Sequence, residues 1–306
     1  MIAAKAILRA THLLVTAGAG MSADSGLPTY DKIADNMAYK SRDLNYADLC
    51  RPQLLRSDAC LALGFWGSCF NLYKTTRPHD GYHILKEWCA MNKDSYVYTS
   101  NVDGHFLAAG FNEQRICEVH GRVSKWISLT KDDEDITMLP DGHRFRVDET
   151  DMRLLGDEQD TESLRAAGVP VDKHGNMMRP AVLMFDDEPE LLLKHLKVDQ
   201  DKYQVWEAQM EEELVNNELS RLVILEIGCG QRVPCVRQES ECVLDDVARR
   251  MGLEESGNPS WYDSDCSIPR ALLIRINPDF PSNHQNPHLT LPVQGPALAS
   301  LIGENF

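Results

Sequence analysis

Residues Leu13 to Asp31 read LLVTAGAGMSADSGLPTYD, and this stretch decides the fold of the chain. An apolar run typical of a β-strand changes abruptly into small residues and then into a possible helix start. Gly18-Ala19-Gly20-Met21-Ser22-Ala23 fits the G-x-G-x-x-G/A pattern, in which glycines permit a tight turn and let backbone N–H groups approach a phosphate. An ordinary strand-to-helix turn fits the same residues, because this short pattern often arises by chance. The stretch predicts a phosphate-binding turn that other parts of the chain must support.

Size and composition narrow the class of protein. The chain has 306 residues, enough for one large domain or two modest ones. Its nine cysteines are odd in number and lack paired spacing, which indicates reduced thiols inside a cell. A formal net charge of −16 argues against nucleic acid as a ligand, since phosphate binding needs clustered Lys and Arg, but it permits attraction to a basic peptide.

The apolar start of the chain, MIAAKAILRATHLLV, leads into the glycine loop without a cleavage-like break, so it predicts a helix and then a strand, not a targeting peptide. No run approaches the roughly 18 apolar residues of a membrane span. We therefore expect a soluble protein of the cytoplasm, with the nucleus as the alternative, and neither a membrane nor a nucleic-acid partner. Its oligomeric state is open.

Six short apolar or β-branched runs recur along the chain, separated by helical or loop segments. Near-continuous apolar strands are typical of a sheet that is covered on both faces. The runs are 12–17, 95–100, 116–119, 181–185, 222–227 and 271–276. Small or polar residues follow five strands, where a doubly wound sheet places its ligand-binding loops: Gly18, Asn101, His120, Gly228 and Asn277. The pattern predicts an α/β fold with a doubly wound, mostly parallel, Rossmann-like sheet of about six strands.

Two segments interrupt this pattern. Residues 39–76 carry helical patterning, and residues 121–178 are rich in Asp and Glu. We expect them to form a smaller module, while 1–38, 77–120 and 179–306 form the Rossmann-like domain. The acidic runs are most simply a solvated face, with metal or basic-peptide binding as the alternative.

Helices and a loop are expected after the inserted module. The expected helices are 189–197, 205–219 and one around 242–251, and the expected loop is 254–267.

Further motifs lie at the other strand ends. Thr99-Ser100-Asn101-Val102-Asp103 ends the second run, and His120-Gly121 follows the third. Later motifs follow in order: Arg179-Pro180 with Val182 and Phe185, then Gly228-Cys229-Gly230, then Ile276-Asn277. Together with the glycine loop, these motifs resemble the sirtuins, a family of NAD-dependent protein deacylases. The resemblance covers nearly the whole chain.

The resemblance implies transfer of an acyl group from lysine to the ADP-ribose part of NAD, with release of nicotinamide. It implies three catalytic residues: His120 as general base, Asn101 to orient the ribose or a water, and Asp103 to accept a hydrogen bond from the nicotinamide carboxamide. An imidazole with a pKa near neutrality suits the first role. The implied NAD-binding residues are Gly18, Ala19, Gly20, Ser22, Pro28, Tyr30, Ser100, Asn101, Asp103, Gly228, Cys229, Gly230 and Asn277. The implied substrate-binding residues are Val182 and Phe185.

Four departures from the family pattern leave the activity open. Tyr30-Asp31 stands where the family has Phe-Arg, and a carboxylate near the cofactor would repel pyrophosphate, so either Asp31 points away or another cation compensates. Ser100 replaces a glutamine, and Phe185-Asp186-Asp187 replaces F-G-E, which removes a glycine. The family carries two C-x-x-C pairs that bind zinc, yet residues 121–178 contain no cysteine. We therefore expect no zinc.

Three functions fit these residues. The first is a deacylase that acts on an acyl-lysine protein or peptide and consumes NAD, supported by His120, Asn101 and Asp103. The second is NAD hydrolysis or ADP-ribosyl transfer, favoured by the altered F-G-E segment and the missing cysteines. The third is a sensor that binds NAD or ADP-ribose without turnover, favoured by Asp31 and Ser100.

Overall fold

The structure is a computed structural model and describes residues 2–30, 32–91, 94–129, 136–187, 190–253 and 268–303. Its helices are α1 Ile2–Arg9, α2 Ala19–Ala23, α3 Met37–Lys40, α4 Tyr46–Leu49, α5 Pro52–Ser57, α6 Ala59–Thr75, α7 Asp80–Met91, α8 His105–Ala108, α9 Thr161–Ala166, α10 Glu190–Asn216, α11 Cys235–Met251 and α12 Ala297–Leu301. Its strands are β1 His12–Ala17, β2 Asp94–Thr99, β3 Ile116–Glu118, β4 Gly121–Ser128, β5 Ile136–Met138, β6 Met178–Val182, β7 Leu222–Ile227, β8 Ala271–Ile276 and β9 Thr290–Val293.

The larger sheet has six parallel strands in the order β3-β2-β1-β7-β8-β9. The three central strands β1, β7 and β8 are buried along their whole length, because helices cover both faces. Leu13 and Val15 pack with α1 and α7 on one face, while Leu14 packs with α10 and α11 on the other. The predicted doubly wound α/β fold is confirmed.

Strand order reverses between β1 and β7. The chain runs outward from β1 to β3 on one side of the sheet, and from β7 to β9 on the other. Ligands of open α/β sheets bind outside the carboxyl ends of the strands at such a switch point. Gly18 follows β1 and Gly228 follows β7, so both glycine turns lie at this point.

The run predicted at 181–185 was wrongly assigned to the larger sheet. Its first two residues, Ala181 and Val182, end β6, which pairs antiparallel with β4 in a separate three-stranded sheet of order β5-β4-β6, and residues 183–185 follow that strand. Val182 and Met184 face one apolar cluster, and Ala181 packs on the start of α10 in another. A strand covered on both faces is apolar throughout, so its pattern cannot distinguish this sheet from the parallel one.

The sixth strand of the larger sheet is β9, which the sequence analysis missed. β9 lies at the edge beside β8 and contains Pro292 opposite Arg275. Proline lacks the N–H of a ladder hydrogen bond and is confined to edge strands, bulges and strand starts. A Pro- and Asn-rich segment therefore looked like a loop.

The smaller sheet shares an apolar cluster with helices α4, α5, α6 and α9. Aromatic side chains fill it, and Trp126 stacks on Phe145 with ring centroids 5.1 Å apart. The expected division into two domains stays a prediction, which this separate cluster supports.

The Asp172 carboxylate links the end of β4 to the loop before β6 by hydrogen bonds. Asp172 accepts hydrogen bonds from Ser128 Oγ at 2.9 Å, from the backbone N of His174 at 3.0 Å, and from the backbone N of Asn176 at 2.7 Å. Burial raises the pKa of Asp172, but these bonds outweigh burial and lower it to about 2. This network joins the end of β4 to the loop before β6 within the cysteine-free segment.

Other expectations meet the structure in part. The helices expected at 189–197 and 205–219 form one helix, α10, and the helix expected around 242–251 already begins at Cys235. The acidic run 132–135, Asp31 and the loop expected at 254–267 lie outside the described residues.

Two features are absent from the described ranges: a group of metal-binding side chains and a membrane-spanning helix. Within these ranges no three or more His, Cys, Asp or Glu side chains are grouped to hold a metal ion. No helix there has the length and apolar character to cross a bilayer.

Candidate active site

A cavity of about 710 Å³ opens at the carboxyl ends of the central strands. Every site residue that the sequence analysis named lines it: Gly18, Ala19, Gly20, Ser22, Pro28, Tyr30, Ser100, Asn101, Asp103, His120, Val182, Phe185, Gly228, Cys229, Gly230 and Asn277. Six separated segments therefore meet in one space, and the roles assigned to their residues stay proposals.

The two glycine turns interlock. Gly20 N donates to Gly228 O at 3.0 Å, and Gly18 N donates to Ile227 O at 3.0 Å. A Cβ on Gly20 would lie 2.6 Å from Gly228 Cα, and Gly228 has φ +63°. Only glycine permits this approach and this backbone conformation without strain. Gly18 and Gly20 are thus required by the close contact between their backbone and that of the Gly228 turn. All three glycines line the cavity.

A hydrogen-bonded network fixes the polar side chains beside the first turn. Ser22 Oγ donates to Asp103 Oδ2 at 2.6 Å, and Asn101 Nδ2 donates to Gly18 O at 3.0 Å and to Ser22 Oγ at 3.2 Å. The backbone N of His105 donates to Asp103 Oδ1 at 2.8 Å. The carboxylate and the amide are held before any ligand arrives, which is the preorganisation that a reaction site needs.

His120 lies between β3 and β4 at the floor of the cavity. Leu183 N donates to the carbonyl oxygen of His120 at 2.9 Å, and the Sγ atom of Cys235 is 3.6 Å from its Nε2. Burial lowers the pKa of His120, and a hydrogen bond to the backbone of Ser100 opposes this only in part. The imidazole is therefore neutral at neutral pH and can accept a proton.

The turn after β7 is tied to the loop after β8. Asn277 Nδ2 donates to Cys229 O at 2.9 Å, and Asn277 Oδ1 accepts from the backbone N of Asp279 and of Phe280 at 3.0 Å each. Arg237 donates to Phe280 O at 2.8 Å. Asn277 thus shapes this end of the cavity with both the donor and the acceptor of its side-chain amide.

The segment that departs from the family's F-G-E has its own geometry. Asp186 stands at the glycine position and adopts φ +55°, a left-handed conformation that Asp tolerates better than most residues. Asp187 forms a buried ion pair with Arg179 at 2.6 Å. Asp186 therefore occupies a strained backbone position where the family has glycine. Asp187 has a structural role, because it pairs with Arg179.

Sequence reasoning missed two groups of lining residues. Arg232 lines the cavity with its guanidinium carbon 5.7 Å from the centroid of the Tyr30 ring; it is a candidate for the compensating cation. The second group consists of Tyr46, Cys50, Trp66 and Tyr73 from the small module, together with Ile33 from the segment before it. The signal available was the aromatic content of 39–76, whose helical patterning predicts buried positions and is compatible with helices that close over a ligand, but does not identify the residues that border a cavity.

A parallel sheet with interlocked glycine turns at its switch point, and with Asn, Asp and His at neighbouring strand ends, defines a Rossmann-like fold with a candidate nucleotide site. The chain belongs to the Sir2 family, whose sequence profile matches residues 18–206. This confirms the resemblance to sirtuins.

Curated relatives carry deacylase names. The NAD-dependent protein deacylase 2 of Pseudomonas aeruginosa is 30% identical over 122 residues, which are 40% of this chain and 48% of that protein. The NAD-dependent protein deacetylase of Chromobacterium violaceum is 31% identical over 119 residues, 37% of this chain and 46% of that protein. The chain spans about half the length of the curated relatives it matches.

Solved structures share the fold across the chain. A Sir2 homologue in complex with NAD has a TM-score of 0.59 at 15% identity, covering 97% of this chain and 89% of that one. A mutant Sir2 homologue in complex with ADP-ribose has a TM-score of 0.60 at 16% identity, covering 97% and 91%. At these identities the likeness concerns the fold.

Proposed function

We propose that this chain is an NAD-dependent protein-lysine deacylase that transfers the acyl group to ADP-ribose and releases nicotinamide. The observation that carries the proposal is the position of His120, neutral and facing the same cavity as the Asn101–Ser22–Asp103 network. Family membership and the names of the relatives support it.

The residues present fit NAD. A Cβ at Gly18 or Gly20 would collide with the Gly228 turn, so the glycines keep both turns packed together at the cavity, and Arg232 brings a positive charge to it. Asp103 would accept from the nicotinamide carboxamide, and Asn277 with the Gly228 turn would hold the adenosine end. When bound, NAD supplies the ribose carbon that captures the acyl oxygen after nicotinamide leaves.

His120 would act as the general base. Its neutral ring accepts a proton from a ribose hydroxyl as that hydroxyl attacks the acyl carbon, and such help is typically worth about 10²–10⁴-fold in rate. Asn101 would orient the ribose or a water, with its amide already fixed by Gly18 O. Because both groups are held in place, their contribution is chiefly one of position.

A second candidate is NAD hydrolysis or ADP-ribosyl transfer on the same site. The strained Asp186 and the buried Arg179–Asp187 pair favour it, since both change the segment that would present peptide backbone.

One assay separates these functions. The protein is incubated with NAD, with and without an acyl-lysine peptide, and nicotinamide release and the fate of the acyl group are followed. Release only with peptide, together with acylated ADP-ribose, supports deacylation. Release without peptide supports hydrolysis, and binding without release supports a sensor.

His120→Ala tests the base. Deacylation should fall by about 10²–10⁴-fold, while calorimetry should find NAD affinity nearly unchanged. The matched control is His195→Ala, an exposed histidine of α10, which should retain wild-type activity. Wild-type deacylation by His120→Ala would contradict the assignment. Because the pKa of His120 is lowered from 6.5, the acid limb of the wild-type pH–rate profile should lie below pH 6.5.

A further inference from the structure

The two ends of the cavity differ in chemistry. One end is formed by the glycine turns and their polar network. The other is an apolar wall, which we define as Ile33, Tyr46, Cys50, Trp66, Tyr73, Val102, Val182 and Phe185. All eight belong to or pack against the apolar cluster of the small module. This end is therefore continuous with a hydrophobic core.

The apolar wall begins beside the proposed base. Leu183 N donates to His120 O at 2.9 Å, and two residues later Phe185 N donates to Cys50 O at 2.8 Å. The Tyr46 and Phe185 rings then lie 6.2 Å apart, edge to face. His120 and the apolar wall therefore border the same cavity, and Val182 and Phe185 lie on either side of the residue that bonds to the His120 main chain.

Both tyrosine hydroxyls of this wall are already hydrogen-bonded, whereas Trp66 Nε1 is buried and has no hydrogen-bond partner within the described residues. The Tyr46 hydroxyl is hydrogen-bonded to Cys50, and the Tyr73 hydroxyl to Cys69. Burial raises the pKa of both tyrosines well above the ordinary value, so both stay neutral. None of the eight wall residues is charged, and Arg232, at the Tyr30 ring, is the Lys or Arg nearest to them among the described lining residues.

We propose that the acyl group removed by this site is an uncharged, apolar chain of four or more carbons. The proposal rests on the proposed deacylase function. Burying one CH₂ is worth about 0.8 kcal/mol, or about fourfold in kcat/KM. Two further methylenes therefore give a butyryl group about 15-fold over an acetyl group. A terminal carboxylate on the acyl chain would be buried against the apolar wall without compensation, which is costly.

Four peptides of one sequence test this proposal, each carrying one acetyl-, butyryl-, octanoyl- or succinyl-lysine. The measurement is kcat/KM from NAD-dependent nicotinamide release, with the acyl product identified by mass spectrometry. Butyryl or octanoyl should exceed acetyl by at least about tenfold, and succinyl should be the poorest substrate. Equal or better use of acetyl overturns the proposal, and preference for succinyl overturns it in favour of pairing with Arg232. If no peptide supports release, the deacylase function itself falls and this proposal with it.

A matched pair of variants tests where the acyl chain of the substrate binds. Ile33→Phe adds volume to the apolar wall, whereas Leu54→Phe makes a similar addition at a partly buried position that packs on the same cluster but does not line the cavity. The ratio of octanoyl to acetyl kcat/KM should fall at least about tenfold in the first variant and stay at the wild-type value in the second. Equal ratios in both variants would place the acyl chain elsewhere.

A second inference comes from the contact between Cys235 and His120. Cys235 is the first residue of α11, and its Sγ lies 3.6 Å from His120 Nε2. Burial raises the pKa of this thiol, so it carries its hydrogen at neutral pH. We infer that Cys235 is a positioning residue whose S–H donates to His120 Nε2 and thereby holds the ring in the tautomer with hydrogen on Nδ1. That tautomer has its ring lone pair on Nε2, where the S–H lies, so a ribose hydroxyl must displace the S–H before Nε2 acts as the base. The ring also hydrogen-bonds to the backbone of Ser100.

Nitrogen NMR of the histidine side chains tests this second inference in the protein without ligand. Wild type and Cys235→Ser should both show the Nδ1–H tautomer at His120, because a hydroxyl also donates. Cys235→Ala should show a smaller fraction of the Nδ1–H tautomer, because only the contact with the Ser100 backbone then remains, and an acid limb shifted to higher pH. Cys242→Ala, at an exposed cysteine of the same helix, should match wild type. An Nε2–H tautomer in the wild type, or wild-type behaviour of Cys235→Ala, would refute the inference.

Discussion

The two ends of the cavity are built from different materials. At the switch point of the larger sheet, main-chain turns contact one another directly, with Gly228 packed on Gly20. In the small module, side chains of an aromatic cluster form the boundary. Main-chain contacts allow almost no substitution, whereas a side-chain wall can change size one residue at a time. The glycine turns should therefore be shared by proteins that bind the same ligand, and the side-chain wall of the small module should vary with the substrate.

The largest effect is expected at the main-chain end. Gly228→Ala places a Cβ 2.4 Å from the backbone of Gly20 at a residue with φ +63°. We expect a loss of about 3 kcal/mol in the free energy of unfolding, together with loss of NAD binding. Denaturant unfolding and calorimetry measure the two effects. Gly230→Ala is the control, because its Cβ would meet nothing within 4 Å, and it should change unfolding by less than about 0.5 kcal/mol. Equal losses of unfolding free energy in the two variants would mean that the contact between the turns does not account for the requirement for glycine at position 228.

A smaller effect is expected in the small module, at Asp172. Asp172→Ala removes the acceptor of several hydrogen bonds and should lower the free energy of unfolding by about 2 kcal/mol. The folded pKa, about 2, is below the ordinary 3.8, so the carboxylate stabilises fully above pH 3.8 and loses this effect as the pH falls toward 2. The difference between variant and wild type should shrink across that window.

Asp157→Ala serves as the control for Asp172. Asp157 is exposed, and its carboxylate accepts from the backbone N of Gln159 at 3.0 Å. It should cost less than about 0.5 kcal/mol. A loss as large as that of Asp172→Ala would show that an ordinary turn, not the buried network, is being measured.

The smallest effect is expected on the helical cover of the larger sheet, at Glu207 of α10. Burial, and then the neighbouring Glu239, Glu211 and Asp246, raise the pKa of Glu207 to about 8. A raised folded pKa means that the unfavourable carboxylate appears as pH rises from 4.5 toward 8, so stability falls across that window. Glu207→Gln should be more stable than wild type at pH 8.5, by at most about 1 kcal/mol because the site is partly exposed.

Thermal unfolding at pH 8.5 and pH 5 checks this effect, and the advantage of Glu207→Gln should close toward pH 5. Glu212→Gln, at an exposed glutamate of the same helix, should show no such pH dependence. A constant advantage at both pH values would point to helix propensity instead of charge.

The sequence predicted the parts of the protein that local patterns determine. The apolar runs of β1, β7 and β8 and the glycine loop depend on neighbouring residues and on burial from both faces, so they could be recognised one by one. β6 could not be placed, because its partner β4 is set by contacts more than fifty residues away. β9 was missed since Pro292 breaks the strand pattern, although an edge position tolerates it.

The candidate site divides in the same way. Residues such as Asn101 and His120 follow strands directly, so their convergence could be inferred from the sheet alone. Tyr46, Cys50 and Trp66 reach the cavity from helices of the small module, and Cys235 reaches His120 across 115 residues. Helical patterning indicates which residues are buried but not which of them border a cavity, so these contacts required the structure.

Both outer strands of the larger sheet are short: β3 has three residues and β9 has four, with Pro292 among them. An exposed sheet edge is a template on which another chain can add a strand, and edge prolines and short edges limit this. The proline that hid β9 from pattern recognition therefore also makes this edge of the sheet a poor surface for templated self-association.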